Sequence, residues 1–303
     1  MPHPVWRLAN ARSITLDRPR IMAILNLTPD SFYGASRVPS PSAAVEAAHR
    51  AVNDGADALD LGGESTRPGA TRVPAEEQIA RVVPAVRAIR AAGGALSAIP
   101  ISVDTTRATV ARAALDAGAD AINDVSAGVE DAAMLPLVAE RGAGVILMHR
   151  LVPPDLDSYS DRYATDPTYA DVTGEVETYL AGRYRTATET GIHPDCVVLD
   201  PGLGFGKTVA QNAELMRGVG RLLALGRPVL CAVSRKSFVG RLASPGTETT
   251  PLERLAGSVA LAIQQCLSGV RLFRVHDVRE HAEALRAVWG VAAGGVTSRG
   301  GSV

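Results

Sequence analysis

Apolar and polar positions come in alternating blocks along this chain. Short apolar runs at 21–25, 58–61, 99–103, 121–123, 145–148, 196–199, 229–233 and 271–275 each lead into a polar residue or, at 58–61, carry one (Asp60) near the end. Between them lie longer stretches with apolar residues at helical spacing. Ile79, Val82, Val83, Val86 and Ile89, for example, share one side of residues 75–92. The pattern predicts helices at 42–53, 75–92, 107–117, 132–141, 172–190, 212–225, 251–267 and 278–289.

The junctions repeat. D-G-A-D-A-L-D-L (54–61), A-G-A-D-A-I-N-D (117–124), R-G-A-G-V-I-L-M (141–148) and S-G-V-R-L-F-R-V (268–275) are one device: a helix stops at glycine, small residues turn, and a strand begins. Eight strands alternating with helices predict an α/β fold, a single-domain (β/α)8 barrel over residues 21–290. A doubly wound open sheet is the alternative, but the glycine-rich dinucleotide turn that usually opens it is missing. Residues 1–20 form an N-terminal extension whose alternating S-I-T-L (13–16) reads as a strand or hairpin lid. Residues 150–171, rich in Pro, Asp, Ser and Tyr, read as a long loop. The Gly- and Ser-bearing tail 291–303 is expected to be disordered.

Composition narrows the classes. The 303 residues are 46% hydrophobic and 21% charged, enough for a sizeable core. A net charge of −1 and 4% aromatics argue against a nucleic-acid partner. Cys196, Cys231 and Cys266 sit singly in apolar runs, as core thiols do. The start lacks the apolar stretch of a signal peptide, and no run is long enough to span a membrane, so a cytoplasmic protein is expected.

In such a barrel the site lies at the C-terminal mouth of the strands. Asn26, Asp60, Asp104, Asn123, His149, Asp200, Lys236 and His276 stand at those ends. Any one of them reads equally as a cap or turn residue; their convergence on one mouth is what points to a site. Asp104, Asn123 and Asp200 suit a flat heterocycle with several N–H donors, because a buried carboxylate needs such partners. Arg67, Lys236, Arg274 and His276, with Asn26, suit an anion pocket in which Arg clamps phosphate oxygens at two points. The stretch D-P-G-L-G-F-G-K (200–207) resembles a phosphate-binding loop at first sight. Its spacing fails: the motif needs a glycine separated by four residues from Gly206-Lys207, and that position is Pro201, while glycines 202, 204 and 206 do not fit the dinucleotide fingerprint. Asp200 then becomes a recognition carboxylate, and Lys207 is expected to be peripheral. No zinc-ligand spacing, nucleophile elbow or Ser-His-Asp arrangement is evident.

At these same residues the chain resembles the dihydropteroate synthases. I-L-N-L-T-P-D-S-F (24–32), L-D-L-G-G-E-S-T-R-P-G (59–69), S-V-D-T (102–105), I-N-D-V (122–125), L-M-H (147–149), D-P-G-L-G-F-G-K (200–207), S-R-K-S-F (234–238) and R-V-H-D-V (274–278) match that family's motifs in order, over about residues 20 to 290. The resemblance implies a (β/α)8 barrel that joins 4-aminobenzoate to 6-hydroxymethyl-7,8-dihydropterin diphosphate, releasing pyrophosphate. Carried over, Asp104, Asn123, Asp200 and Lys236 would hold the pterin, with Met148, Gly204 and Phe205 lining its slot. Asn26, Arg67, Arg274 and His276 would hold the diphosphate, with Mg2+ near Asn26. Phe32, Thr66, Pro68 and Ser237 would form the aminobenzoate site. Lys236, Arg67, Arg274 and His276 would carry the catalytic charge. The family is generally a homodimer, which the resemblance extends to this chain.

Two departures stand out. The family continues its first loop as D-S-F-S-D-G-G; here it reads D-S-F-Y-G-A-S (30–36), with Gly34 in place of an acid. That leaves either lower activity or Asp30 in that acid's part. After Met148-His149, Arg150 opens a loop unlike the family's. A pterin-binding methyltransferase shares the barrel and the pterin acids. Ser65-Thr66-Arg67-Pro68 and Ser234-Arg235-Lys236-Ser237 favour the synthase over it. A paralogue that binds pterin without turnover is the remaining alternative, resting on Gly34.

Overall fold

The computed structural model describes residues 4–27 and 40–292. Ten strands occur among them: β1 (Val5–Arg7), β2 (Ser13–Thr15), β3 (Arg20–Asn26), β4 (Ala58–Gly62), β5 (Ile101–Asp104), β6 (Ala121–Asp124), β7 (Gly144–Met148), β8 (Val197–Asp200), β9 (Leu230–Cys231) and β10 (Leu272–Val275). Eight form one sheet in the order β8-β7-β6-β5-β4-β3-β10-β9, all parallel. A parallel bridge between Leu199 and Val229 joins its two ends, and the Leu199 N–H donates to the Pro228 carbonyl at 2.9 Å. This is the (β/α)8 barrel that the repeat predicts.

The helices pack outside because each strand turns alternate residues to opposite sides. Ile21, Ala23, Leu59, Leu61, Ile101, Val103, Val145, Leu147, Val197 and Leu199 join the core between sheet and helices. The other residues of each pair point into the barrel. At its base these are apolar: Met22, Ala58, Ala121, Ile146, Val198, Leu230 and Leu272 cluster with Trp6, Leu8, Ile14 and Leu16. One step further along each strand, the same inward face carries Asp60, Asp104, Asn123, Met148, Asp200 and Arg274. The pleat therefore delivers the polar strand ends to one chamber.

The N-terminal segment is a plug, not a lid. β1 and β2 pair antiparallel, with Trp6 opposite Ile14, and the Trp6 indole donates to the Cys196 carbonyl at 3.0 Å. Ala9 N–H donates to the Asp120 carbonyl just before β6. The hairpin thus closes the end of the barrel opposite the mouth. Burying Leu8, Ile14 and Leu16 there contributes about 1.5–3 kcal/mol each.

Other boundaries move for local reasons. The expected helix 212–225 is broken at Gly218 into Val209–Arg217 and Val219–Leu223. The helix expected at 251–267 starts later, at Leu255–Leu267, after a turn. A helix at Ser237–Ala243 was hidden by Gly240, whose missing side chain admits Thr249 and Arg254. The last helix, Val278–Ala292, takes the first two residues of the expected tail; 293–303 lie outside the described residues.

Candidate active site

Three acidic or amide side chains and one guanidinium meet at the centre of the mouth. β4, β5 and β6 are in register so that Gly62 pairs with Asp104 and Asp104 with Asn123. Arg274, from β10 across the barrel, donates from Nε to Asp60 Oδ2 at 2.5 Å and from Nη2 to Asp104 Oδ2 at 2.9 Å. Asn123 donates from Nδ2 to the same Asp60 oxygen at 3.0 Å. Asp60, Asp104 and Asn123 are all buried. Burial pushes the Asp104 carboxyl up to about 7 against the pull of Arg274, while Asp60 and other acids nearby push it the same way as burial. The oxygens left over matter most: Asp60 Oδ1, Asp104 Oδ1 and Asn123 Oδ1 are buried and find no donor among the described residues.

Asp200 ends β8 on the other wall. Its Oδ1 accepts the Gly202 N–H at 2.7 Å, and burial raises its pKa, opposed by the charge of Lys236. The glycine-rich turn that follows is forced. At Gly202, φ is +66° and an added Cβ would lie 1.8 Å from the His149 carbonyl oxygen. Val125, Met148 and Phe205 make a small apolar cluster of their own at the mouth. Lys236 reaches over it: Nζ donates to the Leu203 carbonyl and lies 4.5 Å from the centre of the Phe205 ring. An added Cβ on Gly204 would meet the Lys236 stem at 2.8 Å. Burial lowers the Lys236 pKa to about 8, with Asp200 pulling it back up.

The turn that presents Lys236 is held firmly. Arg235 has φ 62°, a left-handed conformation that non-glycine residues avoid. Its N–H donates to Ser258 Oγ at 3.0 Å, Arg254 donates to its carbonyl at 3.0 Å, and its guanidinium grips Asp277 with two bonds. Arg235 and Asp277 carry no role in the sequence reading. They enter it only as members of the motifs at 234–238 and 274–278, beside Lys236 and His276.

His276 and Arg274 differ from the simple cation pair that the sequence suggests. The guanidinium of Arg274 is already engaged by Asp60 and Asp104. His276 Nδ1 meets Ser234 Oγ at 3.2 Å, and burial, followed by the charges of Arg274 and Arg235, lowers its pKa to about 3. Near neutral pH it is therefore a neutral imidazole. Asn26 ends β3, opposite Gly62 of β4. Ser237 starts the helix next to Lys236.

Thr66, Arg67 and Pro68 lie on the segment after β4, with Arg67 exposed. A cavity lined by Thr66, Arg72, Asp104, Val125 and Pro154 connects that segment to the central acids. The segment is tied to the unusual loop after β7. The Gly69 N–H donates to the Pro154 carbonyl at 2.8 Å. Arg72 bonds Glu130 at 2.7 Å, and Glu130 also pairs with Arg150. The departure at Arg150 thus has a structural use. Phe32, Asp30 and Gly34 lie outside the described residues.

Lys207 is not peripheral. It is fully buried beneath the glycine-rich turn and bonds His149, Gly202 and Phe205. Its place behind an apolar-looking G-F-G gave no sign of this in sequence. Asp60, a strand-end residue with no role assigned from sequence, sits at the heart of the cluster.

Chemically, the chamber offers unpaired acceptors beside an apolar slot, with a lysine above and further cations at the rim. It can hold a flat, donor-rich ring by its edge and face.

The sequence profile of the pterin binding enzymes matches residues 22–276. A dihydropteroate synthase of Mycobacterium leprae is 41% identical over 272 residues, 89% of this chain and 92% of that protein. One from Escherichia coli is 39% identical over 280 residues, 92% of this chain and 94% of that protein. Among solved structures, the Xanthomonas albilineans dihydropteroate synthase with 4-aminobenzoic acid superposes with a TM-score of 0.85 at 41% identity, covering 96% of this chain and 99% of that one. The same organism's enzyme in complex with 7,8-dihydropteroate gives 0.80 at 38% identity, covering 94% and 99%.

Proposed function

The chain belongs to the pterin-binding enzyme family, and we propose that it works as a dihydropteroate synthase. In this reading it condenses 6-hydroxymethyl-7,8-dihydropterin diphosphate with 4-aminobenzoate, yielding 7,8-dihydropteroate and pyrophosphate. The observation that carries the reading is the pair of buried acceptors, Asp104 Oδ1 and Asn123 Oδ1, left without donors beside Asp200. Leaving such atoms unmatched costs about 1–3 kcal/mol each. The amino-pyrimidine edge of a pterin supplies the N–H groups they need.

The pterin ring lies in the slot of Met148 and Phe205, with Gly204 leaving room for the Lys236 stem. Asp104, Asn123 and Asp200 take its edge, and Lys236 donates to its carbonyl side. The diphosphate leaves toward Asn26, Arg67 and His276, with Arg274 adding positive charge between the subsites. As the C–O bond breaks, these donors spread the charge growing on pyrophosphate. His276 contributes as a neutral N–H donor. The electron-rich dihydropterin supports the cation left on the CH2. The aminobenzoate amine is a neutral nucleophile and needs no strong base; Thr66, Pro68 and Ser237 line its approach, with Phe32 from the first loop.

Asn26 offers one hard amide oxygen, and no group of three or more His, Cys, Asp or Glu among the described residues could hold a metal. That donor set fits Mg2+, which keeps its waters and takes substrate phosphate oxygens, and does not fit a zinc cage. Mg2+ held there would neutralise phosphate charge. A homodimer acting in the cytoplasm completes the proposal. Family membership supports both, and no described helix is long and apolar enough to cross a membrane.

The purified chain, given both substrates and Mg2+, should release pyrophosphate and form dihydropteroate, and its gene should rescue a dihydropteroate-synthase-deficient strain. Release of neither product, with pterin still bound, would favour the non-catalytic paralogue. Methyl transfer to a corrinoid would favour the methyltransferase.

A further inference from the structure

Two lysines hold the turn 202–206 from opposite sides. Lys236 lies on the chamber side, against the Leu203 carbonyl and the Phe205 ring. Lys207 lies beneath. Its Nζ donates to the carbonyls of Gly202 at 3.0 Å and Phe205 at 2.9 Å, and meets His149 Nδ1 at 3.0 Å. Three acceptors match the three N–H groups of an ammonium. The third is available because His149 is neutral: burial, and then the charge of Lys207, lowers its pKa to about 3. The His149 ring is itself fixed edge-on to Tyr179, with centroids 4.9 Å apart, and its backbone N–H donates to the Asp200 carbonyl at 3.0 Å.

Gathering the carbonyls of Gly202 and Phe205 beneath the turn leaves the carbonyl of Leu203 and the ring of Phe205 for the chamber side. These are the two groups that Lys236 touches. The flanks are pinned as well: Gly204 N–H donates to Asn212 Oδ1 at 2.7 Å, and Gly206 N–H to Asp157 Oδ2 at 2.9 Å. A buried ammonium is expensive, and a methionine of similar length would fill the space at lower desolvation cost. Burial does lower the Lys207 pKa, to about 7.

We propose that Lys207 is a positioning residue for pterin recognition: by drawing the Gly202 and Phe205 carbonyls onto its ammonium, it sets the Leu203 carbonyl and the Phe205 ring that aim Lys236. The inference rests on the pterin-binding reading of the chamber.

A double-mutant cycle tests it, with Lys207→Met, Lys236→Ala and the double variant titrated calorimetrically with 6-hydroxymethyl-7,8-dihydropterin diphosphate. Lys207→Met should weaken pterin binding about tenfold while the KM for 4-aminobenzoate changes by less than about twofold. In the Lys236→Ala background most of that loss should vanish, because the residue acts through Lys236. A purely structural lysine would give additive losses, and additive losses or unchanged affinity overturn the inference. If Lys207→Met does not fold, Lys207→Gln, which replaces the three ammonium donors by two on a shorter neutral side chain, runs the same cycle: a smaller loss of pterin affinity that again vanishes in the Lys236→Ala background is expected, and additive losses overturn the inference. Wild type that binds no pterin overturns both this inference and the functional reading; wild type that binds, beside an equally tight variant, overturns this one alone.

Discussion

Arg274 and Asp104 form an ion pair at 2.9 Å across the width of the barrel, from strands that are not neighbours. Arg274 holds Asp60 at the same time. Both carboxylates are almost wholly buried, so the guanidinium is the charge that makes their burial tolerable.

Replacing Arg274 with alanine leaves those acids uncompensated. The variant should lose about 3–5 kcal/mol of stability in urea unfolding at neutral pH. A loss below about 1 kcal/mol, the range of exposed pairs, would show that solvent screens this cluster.

The raised pKa of Asp104 has a pH signature. The folded state keeps the Asp104 proton up to about 7, whereas the unfolded chain releases it near 3.8. Below 3.8 the contribution to stability is fully present, and it is lost as pH rises through 7. Stability of the wild type should therefore fall between pH 4 and 7 relative to Asp104→Asn. Parallel profiles for the two proteins would contradict the burial argument.

Glu130 joins Arg72 to Arg150 and so ties the Thr66–Pro68 segment to the loop after β7. Glu130→Gln should raise the KM for 4-aminobenzoate several-fold and leave pterin affinity unchanged. Because Glu130 is partly exposed, its effect on global stability should stay within about 1 kcal/mol. An unchanged KM would mean that the segment is held by other contacts, such as Gly69 to Pro154.

Gly202→Ala should be far more damaging than Gly142→Ala. Both glycines have positive φ, which costs an alanine about 1–2 kcal/mol. At Gly142 nothing lies within 4 Å of an added Cβ, whereas at Gly202 the Cβ would collide with the His149 carbonyl. Equal stability losses in thermal melts would be inconsistent with this close approach.

The barrel was legible because its determinants are local. Each glycine stop and each apolar run announces one helix-to-strand unit, and Asp104, Asn123 and Asp200 fall at strand ends where the pleat turns them inward. Helix breaks at Gly218 and before Leu255 depend on packing against distant segments, which periodicity does not record. The hairpin's destination was hidden for a similar reason: Ile14 alternates as it would in a lid, and only the apolar floor of Met22, Ile146 and Leu272 decides where it packs. Lys207 misled because a lysine beside glycines suggests an exposed anion ligand. Its burial depends on carbonyls of its own turn and on His149, 58 residues away. The charge state of His276 was equally invisible, since it follows from burial and from Arg274 and Arg235.

Calorimetric titration of 6-hydroxymethyl-7,8-dihydropterin diphosphate into the wild type and Asp200→Asn tests the central claim most directly. Asp200 is buried, faces the chamber and shares one oxygen with Gly202, so its loss should be felt by the ligand's edge. The wild type should bind, and Asp200→Asn should bind at least about tenfold more weakly, as expected when one charged hydrogen-bond partner is lost. A wild type without affinity for the pterin, or a variant that binds it equally well, would contradict the account of this chamber as a pterin site.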